Sequence, residues 1–234
     1  MFTDFIKQFD VIADKVKNAE ILLDPWPHLF VQDVFDDEFY SKMLAFANWP
    51  EVTIDTKAVG DMGRDEYFFD NECVDFRNQL AELNDQTNML FHILAEKFSE
   101  TEYTEDYVTC TTQLWIDDNN LNINDIHTDG FFDCKFSLSG QFYLPDDTTQ
   151  VEYGTSLYKY IGDDLSKHTT KEDGLAYPNS VPGEYQEYFE NVKTLPFIPN
   201  SVLFTTNHPG TWHRAPINIR ENDKRKSLML RWKI

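Results

Sequence analysis

The sequence predicts a mainly β protein: a closed or sandwiched β core with helices packed outside it. Three observations lead there. Apolar residues recur at helical spacing within roughly the first hundred residues. From Tyr107 onward the chain changes to about eight short stretches of strand character separated by turns. The length of 234 residues suits one large domain with room for a substantial core. The expected organisation is therefore a single domain over 1–234, with 1–106 as a helical support and 107–234 as the β-barrel core.

Taken in order, Phe2, Phe5, Ile6, Phe9, Ile12, Ala13 and Val16 line one face of an amphipathic N-terminal helix. A turn follows at Asp24-Pro25-Trp26-Pro27, and His28–Phe35 alternates loosely as a strand. Asp36 is a suitable N-cap for a helix to about Asn48, with Phe39, Met43, Leu44 and Phe46 on its apolar face. Glu51–Asp70 reads as irregular, with a short strand around Tyr67-Phe68-Phe69. Phe76–Phe98 reads as a long helix carrying Leu80, Leu83, Leu90, Leu94 and Phe98. The predicted strands then run over Val108–Ile116, Asn122–Asp129, Lys135–Leu144, Gly154–Tyr160, Ser201–Thr206, Thr211–Ile217 and Ser227–Lys233. Asp117-Asp118-Asn119-Asn120 reads as a turn, and the acidic, Tyr-rich span Ile161–Pro196 as a long loop, a candidate lid. His28 and His92 read as structural residues, and His168 as a solvated loop residue.

The formal net charge is −21, from 41 acidic and 20 basic residues. A field of that sign repels phosphate backbones, so no nucleic-acid partner is expected. It favours a neutral or cationic substrate only weakly, because charge averaged over a chain does not describe one pocket. The three cysteines, Cys73, Cys110 and Cys134, form no CxxC pair and no even-numbered disulfide set. With a charged N-terminus and no long apolar run, they point to a cytoplasmic setting without a membrane span.

The chemistry concentrates in His127-Thr128-Asp129. On an extended chain, residues two apart share a face, so an imidazole and a carboxylate converge. A second imidazole is available at His213 in Thr211-Trp212-His213. Two neutral imidazoles and one carboxylate on one side of a metal suit non-haem Fe(II), because three coordination positions stay open. His208 is a rival for His213, but His208-Pro209-Gly210 reads as a turn.

With Gly154-Thr155-Ser156-Leu157-Tyr158, Pro199-Asn200-Ser201-Val202-Leu203-Phe204 and Arg225-Lys226-Ser227, these motifs resemble the Fe(II)- and 2-oxoglutarate-dependent oxygenases of the prolyl-hydroxylase-like type, including small phage and bacterial members. The resemblance runs from about His28 to the C-terminus. It implies a double-stranded β-helix, the jelly-roll or cupin-like barrel, with the metal at one mouth. It also implies a single-domain dioxygenase using Fe(II), 2-oxoglutarate and O2, with ascorbate as an aid in vitro. Oxidative decarboxylation of 2-oxoglutarate to succinate and CO2 would drive hydroxylation of an unactivated C–H bond. His127, Asp129 and His213 match the metal ligands. Arg225 and Ser227 match the grip on the cosubstrate's distal carboxylate, which a guanidinium can hold with two parallel hydrogen bonds. Gln113 and Tyr143, on neighbouring strands, are candidates to line the cosubstrate pocket. Arg220 is a rival for Arg225, in the polar hairpin Asn218–Lys224.

A carboxylate at Asp129 argues for hydroxylation, since related halogenases carry a small residue there. The tyrosine that prolyl hydroxylases often carry shortly before the metal histidine is replaced by Asn122-Ile123-Asn124. Substrate candidates are a prolyl or other side chain in a protein or peptide, a free amino acid or another small molecule. Two alternatives stand beside this reading: a non-catalytic β-barrel that binds a ligand or protein, and a cupin-type metal enzyme that needs no 2-oxoglutarate. Oligomeric state is not legible in the sequence.

Overall fold

In the computed structural model, residues 2–47, 64–68, 89–98, 108–119, 125–129, 137–171, 179–215 and 218–233 are described. The N-terminal apolar stripe forms helix α1, Phe2–Asn18, which buries Phe9, Ile12, Ala13 and Val16. Helix α2, Asp37–Ala47, starts where the sequence places its cap: Asp36 Oδ1 accepts from Phe39 N at 2.7 Å. Asp37 and Glu38 then complement the helix dipole. A third helix, α3, covers 89–98 and buries Leu90, Phe91, Leu94 and Ala95. The earlier part of the predicted Phe76–Phe98 helix lies outside the described residues.

Among the described residues eleven strands form two antiparallel sheets. Along the chain they are β1 His28–Gln32, β2 Arg64–Phe68, β3 Thr109–Asp117, β4 Ile126–His127, β5 Ser137–Tyr143, β6 Ser156–Tyr160, β7 Ser180–Val181, β8 Phe189–Thr194, β9 Ser201–Thr206, β10 His213–Arg214 and β11 Arg225–Lys233. The larger sheet has the order β1-β9-β5-β11-β3-β2, the smaller β7-β4-β10-β6-β8. The predicted boundary at residue 106 runs across the larger sheet, because β1 and β2 precede it.

The period of two along these strands assigns the faces. Leu114, Leu138, Phe142, Val202, Phe204, Leu228, Leu230 and Trp232 join one apolar cluster with α1, α2 and α3, so the helices cover the outer face of the larger sheet. The alternate residues of β11, namely Arg225, Ser227, Met229 and Arg231, turn inward toward the smaller sheet. Between the sheets, Trp26, Tyr143, Tyr153, Leu157, Leu195, Phe197 and Leu203 form a second cluster. This is the double-stranded β-helix.

Two local devices close it. Asn200 adopts a left-handed φ of 55°, which asparagine tolerates. Its amide bonds both Phe35 N and Phe35 O at 2.8 Å, tying the exit of β1 to the start of β9. Gly154 lies where a Cβ would come within 1.5 Å of Leu195 O, so only glycine admits this approach of β6 to the chain after β8.

The span Ile161–Pro196 is not a structureless loop. It contains helix α4 (Leu165–His168), a 3-10 turn over Gly183–Tyr188, and both edge strands of the smaller sheet: β7 pairs with β4, and β8 with β6. Its polarity hid the strands. On β8 only Phe189 is buried, while Glu190, Lys193 and Thr194 face solvent, as suits an edge that must not pair further. His168 is likewise buried rather than solvated: it stacks on Tyr188 at 3.8 Å and bonds Tyr160 Oη at 2.8 Å. Among the described residues no helix is long and apolar enough to cross a membrane.

Candidate metal centre

The smaller sheet is short-stranded where it matters. β4 and β10 are two residues each and lie side by side, with His127 and His213 as direct cross-strand partners. Opposed residues in an antiparallel pair share a face, and the two imidazole centroids lie 4.5 Å apart. Thr128 N donates to Asn179 O at 2.9 Å, continuing the pairing with the β7 side past the end of β4. The chain therefore stays extended, Thr128 is buried on one side, and Asp129 returns to the side of His127. One ligand atom from each of His127, Asp129 and His213 lies within 4.8 Å of the other two. His213 Nε2 is 3.9 Å from Asp129 Oδ2.

Both histidines are oriented by the same local bond. His127 Nδ1 lies 3.0 Å from Asp125 O, and His213 Nδ1 lies 2.9 Å from Thr211 O. A carbonyl oxygen can only accept, so each Nδ1 carries the proton and each Nε2 keeps its lone pair for a ligand. The neighbour Trp212 anchors β10 from behind: it is buried against Phe189, and its carbonyl accepts from Tyr158 N and from Trp26 Nε1. The rival His208 sits exposed in the turn before Gly210, beside the carbonyl of Pro209.

The triad forms one wall of a cleft between the sheets. Facing it are Trp115, Gln141, Met229, Arg225 and Arg231 from the larger sheet, with Thr155 at the entry to β6. Arg225 is 1% exposed. Its Nη1 bonds Asp117 Oδ2 at 2.6 Å and its Nε bonds Tyr153 O at 2.7 Å. Asp117 does not belong to a turn: it ends β3 as the cross-strand partner of Arg225 and is fully buried. Ser227 is fully buried and accepts from Gln141 Nε2 at 3.0 Å.

Gln113 and Tyr143 share the inward face of the larger sheet but are not among the residues that line the cleft. Gln113 Oε1 accepts from Trp115 Nε1 at 3.2 Å. Tyr143 Oη donates to Thr155 Oγ1 at 2.8 Å, and Thr155 Oγ1 donates to Gln141 Oε1 at 3.2 Å. Burial pushes the Tyr143 phenol above its ordinary range, and the nearby Arg225 charge pulls it partly back. Arg220 is half-exposed and tied to Asp223 and Tyr153 Oη, away from the cleft.

Sequence reasoning did not single out Asp117, Gln141, Thr155, Trp115 or Arg231 as site residues. The signal for Arg231 was available, since Arg225-x-Ser227-x-Met229-x-Arg231 continues one face of a strand. Arg231 rests over Trp115, with the guanidinium 4.7 Å from the ring centroid, and its Nη2 lies 3.6 Å from Asp129 Oδ1.

No protein-family model and no curated protein sequence matches the chain. Solved structures do. A prolyl 4-hydroxylase of Phytophthora capsici is similar with a TM-score of 0.56 at 14% identity, covering 96% of this chain and 65% of that one. The non-haem alpha-ketoglutarate-dependent carbocyclase SnoK of nogalamycin biosynthesis gives 0.53 at 10% identity, covering 94% and 82%. HygX of Streptomyces hygroscopicus, solved with nickel and 2-oxoglutarate bound, gives 0.50 at 11% identity, covering 88% and 82%. At such identities the likeness establishes the fold: that of the Fe(II)/2-oxoglutarate oxygenases.

Proposed function

We propose that this chain, having the oxygenase fold and a converging His-Asp-His triad, is an Fe(II)- and 2-oxoglutarate-dependent dioxygenase that hydroxylates an unactivated C–H bond. The observation that carries the reading is the donor set. His127 and His213 present Nε2 lone pairs fixed by backbone carbonyls, and Asp129 presents its carboxylate to the same point. Two neutral nitrogens and one anionic oxygen fit a divalent first-row ion and leave part of its coordination shell to other molecules. The bound ion, with 2-oxoglutarate and O2, supplies the oxidising equivalents for hydroxylation, with succinate and CO2 as coproducts.

The chain's own residues hold and orient. His127, Asp129 and His213 hold the metal. Arg225 and Ser227, on the inward face of β11, take the distal carboxylate of 2-oxoglutarate, with Gln141 and Thr155 beside them. Gln113 and Tyr143 support that wall through Trp115 and Thr155. The apolar rings between the sheets keep water from the cosubstrate's end of the cleft. The substrate is a prolyl or other amino-acid side chain in a peptide, or a small molecule. Two of the similar structures, a prolyl 4-hydroxylase and a carbocyclase, differ in chemistry by their names, so the fold does not choose between these classes.

The test is Fe(II)-dependent succinate formation from 2-oxoglutarate, with and without peptide and amino-acid panels. It should be present in wild type and lost in His213→Ala. One observation favours the non-catalytic alternative: Arg225 already has a buried counter-charge in Asp117, so the barrel is electrostatically complete without a cosubstrate. Metal binding with neither 2-oxoglutarate binding nor succinate formation would decide for that alternative.

A further inference from the structure

We propose that Arg231 is a positioning residue for the metal carboxylate: it holds the outer oxygen of Asp129 so that the carboxylate offers the ion a single oxygen. The inference rests on the metal-centre reading above and deepens it. The two histidines take their orientation from carbonyls two residues earlier on their own chain segments. Asp129 lies beyond the end of β4, and Arg231 reaches it from the opposite sheet. The two carboxylate oxygens are thereby sorted: Oδ2 faces His213 Nε2 at 3.9 Å, and Oδ1 faces Arg231 Nη2 at 3.6 Å.

The guanidinium is held for this task rather than for its own satisfaction. It lies 4.7 Å above Trp115, a platform that favours one plane for the cation. Its Nε is buried with no hydrogen-bond partner among the described residues, an exception that calls for a reason. A side chain free to optimise its own bonds would not keep that arrangement. A carboxylate left free to turn can give both oxygens to a cation and so close a position that the cosubstrate or O2 needs. The flat fork of arginine blocks that turn, and a lysine at the same place supplies charge without a plane.

The experiment is an anaerobic titration of the full chain with Co(II), following the ion's visible absorption, in wild type, Arg231→Met and Arg231→Lys. We expect Arg231→Met to weaken Co(II) binding by about tenfold or more and to alter the absorption envelope, as loss of a group that orients a ligand does. Arg231→Lys should fall between. An unchanged affinity and envelope in a folded Arg231→Met would overturn the role. Should Arg231→Met fail to fold, Arg231→Gln removes the charge with less disturbance. It should still weaken binding by about threefold or more, and equality with wild type would overturn the role equally. Wild type that binds no Co(II) would overturn both the metal centre and this inference. Wild type that binds Co(II) but no 2-oxoglutarate would overturn the oxygenase reading alone, because the Co(II) comparison is read without the cosubstrate.

Discussion

Arg225 and Arg231 lie on the same inward face of β11, six residues and about 20 Å apart along the strand. Their surroundings differ in kind. Arg225 is 1% exposed, bonded to the fully buried Asp117 and to the Tyr153 carbonyl, between the rings of Tyr143 and Phe197. Arg231 has a side chain 26% exposed, an ion-pair contact rather than a hydrogen bond to Asp129, and a buried Nε without a partner among the described residues. The closed end satisfies its charge completely, as burial demands. The open end leaves hydrogen-bonding capacity unused beside the triad. One strand thus carries an arginine whose charge is balanced inside the fold and an arginine that stands half-open beside the triad.

The sharpest way to break this comparison is to strip each arginine of what it pairs with and read stability. Asp117→Ala leaves a buried guanidinium without its counter-charge, and we expect a loss of about 3–5 kcal/mol. Arg231→Ala removes a partly exposed pair and a stacked cation, and we expect a loss of only about 1 kcal/mol. Urea unfolding of the two variants against wild type measures both. Losses of equal size would show that the two ends of β11 are not energetically distinct.

The comparison also predicts a division of ligand effects. Arg225→Lys keeps the positive charge opposite Asp117 but loses the fork. Each charge-assisted hydrogen bond is worth about 1.5–3 kcal/mol. Losing one weakens 2-oxoglutarate binding about ten- to a hundredfold, with little change in affinity for the metal. The Arg231 variants should show the reverse. Titrating metal and then 2-oxoglutarate into both sets checks the division, and a change in both ligands at both ends would remove it.

How much of this was legible in the sequence depends on which face a residue serves. The two-residue spacing of His127 and Asp129 placed both on one side, and the structure brings His213 to the same point. Asp36 marked the start of α2, and Ser201–Thr206 gave β9 to the residue, because its inner and outer neighbours are both buried. The edge strands β7 and β8 were hidden. An edge exposes one margin and most side chains to water, so its composition resembles that of a loop. Asp117 was read as a turn residue because a run of Asp and Asn favours turns. Nothing in one strand reveals that an arginine on the next will face it, since register is a property of the pair. The overall charge is equally silent about the pocket, as the sequence reading allowed: a sum of −21 over the chain does not describe a cleft whose wall includes Arg225 and Arg231.

The smallest expected effect sharpens the closed end. Tyr143 Oη donates to Thr155 Oγ1 at 2.8 Å and accepts a longer bond from Thr155 N at 3.4 Å, in a fully buried setting. Tyr143→Phe keeps the ring against Phe197 and Phe30 and removes only these two bonds, so about 1 kcal/mol should be lost near neutral pH. The gap should then depend on pH. Burial raises the Tyr143 pKa in the folded protein above its ordinary 10.0. The folded chain therefore keeps the proton at a pH where the unfolded chain has released it. Stability from this group is fully present below pH 10 and falls as pH rises toward the folded value. Phenylalanine has no such proton to lose, and the other tyrosines are common to both proteins. The advantage of wild type over Tyr143→Phe should therefore shrink as pH rises from 8 to 10.5. Urea unfolding of both proteins at the two pH values measures it. A gap that stays constant would mean that the Tyr143 phenol is as well solvated folded as unfolded, and the closed end would not be closed.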